Sequence, residues 1–146
     1  VWTTDKDGII LGLLAAEMTA STDQDPSQSY SLLTEELGEP FYERIDAPAT
    51  SAQKNTFKTV SAKQFGMKEM GGEVVKATMT KAPGNDMSIG GIKVVAENGW
   101  FAARPSGTED VYKIYAESFH SQDHLKQIQQ EAQDAVTRLF EASKST

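Results

Sequence analysis

The sequence predicts an α+β fold in which a four- to five-stranded antiparallel or mixed sheet is covered by helices on one face. Short runs of alternating apolar residues in the middle of the chain indicate strands. An Asn-Gly pair between two of these runs indicates a hairpin, and a long amphipathic stretch after the last run indicates a helix that lies on the sheet. The elements follow the order β-α-β-β-β-β-α over residues 41–146, which is typical of the α+β class.

Residues 1–40 predict two helices and no strand. The apolar run at residues 9–18 is hydrophobic on nearly every side, as expected of a helix buried among several neighbours. A second helix is expected at residues 26–37, because Asp25 can cap it and a proline suits its first position. Two helices with no strand between them cannot close a core of their own. We therefore place a domain boundary near Glu39-Pro40, where the helical pattern breaks.

Local signals assign the elements of the second part. Thr50-Ser-Ala-Gln53 is a capping box that opens a helix over residues 50–65. Asn98-Gly99 is the strongest hairpin signal, because a type I′ turn needs positive φ at both central residues. The last helix, from residue 121 to residue 140 or 142, carries apolar side chains at helical spacing. The expected strands are residues 41–47, 73–80, 92–97, 100–104 and 111–119.

Composition limits the partners that this chain can have. Its 146 residues include 14 Lys and Arg and 21 Asp and Glu, a net charge of −7, which repels nucleic acid and anionic membranes, so we expect neither as a partner. The absence of cysteine excludes disulfides and thiolate metal sites and is compatible with the cytoplasm, where we expect the protein. No apolar run approaches the roughly 20 residues that span a bilayer. The first residues are Val1-Trp2, so we expect part of a longer protein.

The stretch that begins at Arg104 combines the groups that bind phosphate. Arginine offers a planar fork of donors, Gly107 lets the backbone turn so that N–H groups converge on an anion, and Ser106 and Thr108 add hydroxyls. Lys113 lies on the following strand, which returns it to the same end of the sheet as the arginine. The same residue types are also common in tight turns. Residue types alone therefore leave a phosphate site and a plain surface turn both open.

Other candidate sites fail on their patterns. His120 and His124 have the spacing of a zinc pair, but the glutamate of H-E-x-x-H and a third ligand are absent, so we predict no metal site and expect His124 to be exposed. Asp5-x-Asp7-Gly8 departs from the calcium-loop pattern at ligand positions. Ser106 lacks the G-x-S-x-G sequence of a nucleophile elbow. The acidic pair Glu109-Asp110 is expected to be solvated.

Two motifs together resemble a known family. Arg104-Pro-Ser-Gly-Thr108 followed by Lys113-Ile-Tyr is similar to the phosphate-binding loop in the last domain of the α-D-phosphohexomutases. Thr3-Thr-Asp-Lys-Asp-Gly8, leading into an apolar helix, resembles the segment after the sugar-binding loop in that family's third domain. The motifs stand in the family's order, and the whole chain resembles the C-terminal part of its bacterial phosphoglucomutases.

The resemblance implies a four-domain enzyme that interconverts glucose 1-phosphate and glucose 6-phosphate. The reaction would pass through a phosphoserine and glucose 1,6-bisphosphate, with Mg²⁺ as cofactor. Residues 1–40 would be the C-terminal helical part of the third, sugar-binding α/β domain, and residues 41–146 the C-terminal phosphate-binding domain. A phosphomannomutase or phosphoglucosamine mutase of the same family, or a non-catalytic phosphate-binding module, stays open as an alternative.

The resemblance also assigns the site residues. Arg104, Ser106, Gly107 and Thr108 would grip the non-transferring phosphate of the phosphosugar, and Lys113 stands where the family has a basic residue for the same phosphate. Lys6 would contact the phosphosugar from the third domain. The family's phosphoserine, metal and sugar loops have no counterpart in these residues, so we expect neither a catalytic residue nor a metal ligand here. The chain alone would bind phosphosugar without turnover, and upstream domains of the same enzyme would be its partners.

Overall fold

A computed structural model describes residues 6–144, which form two compact units divided between Glu39 and Pro40. The first unit contains helices α1 (Gly8–Thr22) and α2 (Pro26–Leu37). Asp7 caps α1 by accepting a 3.0 Å hydrogen bond from the Ile10 N–H. Asp25 caps α2 within a capping box that Gln28 completes, because each of the two side chains accepts from the other's backbone N–H.

No described residue of this first unit is buried. Its large apolar side chains lie open to solvent: Ile9, Leu11, Leu13, Leu14, Met18, Tyr30, Leu32, Leu33 and Leu37. An apolar surface of this extent is typical of an interface rather than of a free surface. This agrees with the expectation that the two helices cannot close a core of their own. Their assignment to a sugar-binding domain stays a prediction.

The second unit is built on a five-stranded sheet in the order β1-β7-β6-β5-β4, in which all neighbours are antiparallel. Its strands are β1 (Phe41–Pro48), β4 (Ala77–Lys81), β5 (Ser88–Val95), β6 (Gly99–Pro105) and β7 (Val111–Ser118), and a separate small hairpin contains β2 (Glu69–Met70) and β3 (Glu73–Val74). The helices are α3 (Ser51–Thr59), α4 (Ala62–Phe65) and α5 (Gln122–Lys144). The predicted α+β class is confirmed.

The core lies between one face of the sheet and its helices. Phe101 and Ala103 of β6 and Ile114 and Ala116 of β7 are fully buried, and the residues between them are more exposed. This alternation follows from the pleat of a strand. Helix α5 packs on β1, β6 and β7, and α3 packs on β5 and β6. The α5 side chains that enter the core are Leu125, Ile128, Ala132, Val136 and Phe140. The opposite, outer face of the sheet carries the polar and charged residues.

Two predicted elements are interrupted. The helix expected over residues 50–65 ends at Val60, whose backbone is extended, and Ser61 starts α4 with a capping box of its own. The strand expected over residues 73–80 is divided into β3 and β4. Gly71 and Gly72 both have positive φ, so the chain turns back there and β3 pairs with β2 before the main sheet resumes.

The Asn98-Gly99 pair joins β5 to β6 as expected, but the turn is not type I′, because neither residue has positive φ. The glycine is needed for packing instead. A Cβ on Gly99 would lie 2.5 Å from Ile128 Cδ1 of α5 and 2.9 Å from the Glu117 carbonyl oxygen. Asn98 donates to both carboxylate oxygens of Glu73, from its backbone N–H at 2.8 Å and from its side chain at 2.7 Å.

Candidate functional site

The candidate loop joins the ends of β6 and β7 and begins beside two cations. Arg104 lies directly opposite Lys113 in the register of the two strands. Their neighbours Ala103 and Ile114 are buried, so both charged side chains lie on the outer face. Like charges at paired positions repel each other, and an anion bound between them would relieve the repulsion. The Ser106 N–H donates to the Val111 carbonyl at 2.9 Å and closes the loop.

The Arg104 guanidinium is exposed and is oriented by an aromatic ring. Its Cζ lies 5.5 Å from the centre of the Tyr115 ring, and its Nη2 lies 3.4 Å from the Tyr115 hydroxyl. A cation over a ring face is attracted by the ring's quadrupole. Among residues 6–144 no carboxylate forms an ion pair with Arg104. Its fork of donors therefore stays available to an anionic ligand.

Lys113 is paired with carboxylates. Its Nζ lies 2.8 Å from Glu109 Oε2 and 3.7 Å from Asp46 Oδ2. The Ser106 hydroxyl lies 3.2 Å from the same Glu109 oxygen and accepts the Glu109 N–H at 3.3 Å. The hydrogen bond from Lys113 lowers the pKa of the Glu109 carboxyl and raises the pKa of Lys113 itself. The Glu109 carboxylate is thus exposed, as expected, and also paired with a lysine.

Gly107 and Thr108 form the open tip of the loop. Both residues are exposed, and Gly107 does not use positive φ. A Cβ at Gly107 would meet nothing within 4 Å. Neither the φ of this residue nor its surroundings therefore requires a glycine at this position. Within the described part of the chain, the backbone N–H groups of these two residues have no hydrogen-bond partner. They are free to donate to a ligand.

Residues that the loop pattern did not include hold it in place. Lys54 of α3 donates to the Glu109 carbonyl at 3.0 Å and to Asp110 Oδ1 at 3.1 Å. The Ala49 N–H donates to the Asp110 carbonyl at 3.0 Å. The second half of the loop is therefore fixed to the start of α3, while the tip remains open. No local sequence signal joins Lys54 to a loop that lies more than fifty residues further along the chain.

Gly91 of β5 is a second such residue. It is buried beside the last residues of β6, where an added Cβ would lie 2.2 Å from the Ala103 carbonyl oxygen and 2.8 Å from Arg104 Cβ. Only glycine allows β5 to approach Arg104 this closely. The Gly90-Gly91 pair inside a strand pattern is a sequence signal for such an approach.

Comparison with known proteins identifies the domain. Residues 58–135 match the family described as phosphoglucomutase/phosphomannomutase, C-terminal domain, which is more than half of the chain. The chain belongs to this family. A phosphoglucomutase of Komagataeibacter xylinus is 62% identical over 140 residues, which are 96% of this chain and 25% of that protein. The chain thus spans about a quarter of the length of the curated relative that it matches.

In this phosphoglucomutase/phosphomannomutase C-terminal domain, Arg104, Ser106, Gly107, Thr108 and Lys113 lie together at one end of the sheet. Lys6 belongs to the first unit, where it is exposed directly before the cap of α1. The proposed contact of Lys6 with a ligand stays a prediction. Thr3, Thr4 and Asp5 of the same motif lie outside the described residues.

His124 joins β7 to the small hairpin through both of its ring nitrogens. His124 Nδ1 lies 2.8 Å from the Ser118 hydroxyl, and its Nε2 lies 3.1 Å from the Gly71 carbonyl oxygen. The expectation that His124 is exposed is wrong, since both of its ring nitrogens are engaged and the ring is partly buried. Nowhere in residues 6–144 do three or more His, Asp or Glu side chains form a group that could hold a metal ion. No described helix is long and apolar enough to cross a membrane.

Proposed function

We propose that this chain is the C-terminal part of a phosphoglucomutase and that its loop holds the non-transferring phosphate of a hexose phosphate. The observation that carries the proposal is the pair of cations, Arg104 and Lys113, opposite each other beside two free backbone N–H groups. The membership of the family and the name of the relative support it. In a chain of net charge −7, two cations at paired positions are a local exception that suits a small anionic ligand.

Each group at the site suits a phosphate oxygen. The Arg104 fork can donate two parallel hydrogen bonds, and Lys113 adds a compact point charge. Ser106 and Thr108 supply hydroxyl donors, and the tip of the loop supplies N–H groups. We propose that these residues bind and orient the ligand and do not themselves transfer a phosphoryl group. Holding a reactant in position is itself a large part of catalysis of phosphoryl transfer.

The parent protein would carry out the reaction. We propose that it interconverts glucose 1-phosphate and glucose 6-phosphate through a phosphoserine and glucose 1,6-bisphosphate, with Mg²⁺ bound by other parts of the enzyme. The described residues do not fit a Mg²⁺ site. Residues 6–144 include none of the expected reacting groups, and we expect no turnover by the chain alone. A cytoplasmic location stays a prediction.

The sugar specificity stays open at this site. A clamp of cations, hydroxyls and N–H groups recognises phosphate and makes no distinction between hexoses, and the matched family includes phosphomannomutases. Phosphomannomutase or phosphoglucosamine mutase activity is therefore the second candidate. Coupled assays of the full-length parent enzyme on glucose, mannose and glucosamine phosphates would separate the three. Absence of activity on all three would favour a non-catalytic phosphate-binding module.

Replacement of Arg104 by alanine in the full-length enzyme tests the site. We expect Arg104→Ala to lower kcat/KM about 30- to 900-fold, because a charged anchor of the substrate is lost. This corresponds to a loss of on the order of 2 to 4 kcal/mol in transition-state stabilisation. Arg138→Ala is the matched control: Arg138 is an exposed arginine of α5, the helix that covers the opposite face of the sheet. Equal kinetics of the two variants would remove Arg104 from the site.

A further inference from the structure

We infer that Glu109 is an internal competitor of the ligand: its carboxylate occupies the ligand's position between Ser106 and Lys113, and a bound phosphate has to displace it. The inference rests on the proposed function, because it concerns the same phosphate site. It assigns a competing role to an acidic residue that the phosphate-binding pattern does not contain.

The geometry supports direct competition. A single oxygen, Glu109 Oε2, lies 2.8 Å from Lys113 Nζ and 3.2 Å from Ser106 Oγ. These two donors belong to the set proposed to bind phosphate. An oxygen of a bound phosphate at the same place would make the same two contacts, so ligand and carboxylate cannot both hold them.

The Glu109 carboxyl stays ionised at neutral pH. The ammonium of Lys113 holds the pKa of Glu109 below its ordinary value through a hydrogen bond and through Coulomb attraction, and the Ser106 hydroxyl adds to the effect. Arg104 has no such partner among residues 6–144. The ligand therefore encounters one free cation and one that is already neutralised.

The contact can open without rearrangement of the loop. The Glu109 side chain is 57% exposed, whereas its backbone carbonyl is held by Lys54 at 3.0 Å. Rotation of the side chain can release Lys113 while the backbone stays in place. An ion pair with one solvent-exposed partner contributes little free energy, so a phosphate dianion that also binds Arg104 gains more than it loses.

The opposite hypothesis is that Glu109 merely positions the Lys113 ammonium. In that case its neutralisation would weaken ligand binding. The two hypotheses predict changes of opposite sign in the affinity for phosphate.

The test uses the 146-residue chain, Glu109→Gln, and glucose 6-phosphate, a dianion at pH 8. Affinities are measured by titration of backbone amide shifts. We expect the variant to bind glucose 6-phosphate about 2- to 5-fold more tightly, the equivalent of one solvent-accessible ion pair.

Asp110→Asn is the matched control, because it removes the same charge from the adjacent residue, which pairs with Lys54 instead. We expect it to raise the affinity for glucose 6-phosphate by less than Glu109→Gln does. Weaker or equal binding of glucose 6-phosphate by Glu109→Gln, or an equal gain in Asp110→Asn, would overturn the inference. Arg104→Ala in the same titration distinguishes the two proposals. If it leaves binding intact, the proposed function fails; if it abolishes binding while Glu109→Gln does not tighten it, only this inference fails.

Discussion

Gly91 sets the distance between β5 and the strand that carries Arg104. A methyl group there would lie 2.2 Å from the Ala103 carbonyl oxygen, which is part of the backbone and cannot rotate away. The strands would have to separate at the point where the guanidinium is presented. The position of a cation at this site thus depends on a residue that offers no ligand group.

Gly91→Ala should therefore affect both stability and binding. We expect a loss of about 1 to 3 kcal/mol in the free energy of unfolding, the usual cost of an overpacked position, together with weaker binding of glucose 6-phosphate. Chemical denaturation and amide-shift titration measure the two effects. Gly84→Ala is the control, because Gly84 has open space around its Cβ position and no positive φ. Equal stability of both variants would contradict this account of Gly91.

Glu73 links the small hairpin to the β5–β6 connection and makes stability depend on pH. Its carboxylate accepts two hydrogen bonds from Asn98, and these lower the pKa of Glu73. A lowered folded-state pKa stabilises the fold above the ordinary glutamate pKa of about 4.3. That contribution is lost as the pH falls through the lowered value. We expect Glu73→Gln to reduce stability near pH 7 and to flatten the acid limb of the stability profile.

Thermal unfolding between pH 3 and pH 7 measures this effect. Glu69→Gln is the control, since Glu69 is exposed and its side chain makes no hydrogen bond or ion pair within residues 6–144. If the Glu73 variant loses stability in parallel with the wild type as the pH falls, the two hydrogen bonds do not carry the pH dependence.

At the scale of single residues, sequence patterns predicted positions better than causes. Asn98-Gly99 was expected to form a type I′ turn, and it does connect the two strands. The reason for its composition is different: the glycine makes room for Ile128 of α5 and the asparagine binds Glu73. Both partners are distant in sequence, and local turn preferences contain no information about them.

At the scale of elements, the small hairpin β2–β3 is held by the last helix. The Gly71 N–H donates to Glu131 Oε2 at 2.7 Å, and the Gly71 carbonyl oxygen lies 3.1 Å from His124 Nε2. Two side chains of α5, almost two turns apart, thus satisfy both backbone groups of one glycine. A Cβ on Gly71 would lie 2.2 Å from His124 Nε2, and the backbone of this residue has positive φ, so only glycine fits here. The hairpin is fixed by contacts with α5 rather than by its own two-residue strands.

The strong periodic elements were predicted and the weak ones were not. Helix α5 and the strands β6 and β7 follow their patterns because one face of each is buried in the core. The division between α3 and α4 depends on a second capping box at Ser61, which lies inside a weakly apolar stretch. The cations of the site were predicted from their strands, whereas Lys54 and Glu109 were missed because their contacts depend on how the loop folds against α3 and β7.

At the scale of the whole molecule, the two units differ in how they are stabilised. The hydrophobic core is drawn from residues 49–140 of the second unit and is closed by ring contacts among Phe57, Tyr112 and Phe140. The first unit contributes no buried residue among those described. Because the chain spans a quarter of its relative, we propose that the remainder of the parent protein covers α1 and α2.

This asymmetry predicts that residues 40–146 fold without the first unit. We expect their thermal midpoint to lie within about 2 °C of that of the whole chain, because the core is complete in the second unit and a change of 1 kcal/mol would already shift the midpoint by about 4 to 8 °C. Binding of a hydrophobic dye should fall sharply, since the exposed leucines of α1 and α2 are removed. Circular dichroism and dye fluorescence measure the two quantities. A midpoint lowered by more than about 5 °C would mean that the helices of the first unit stabilise the sheet.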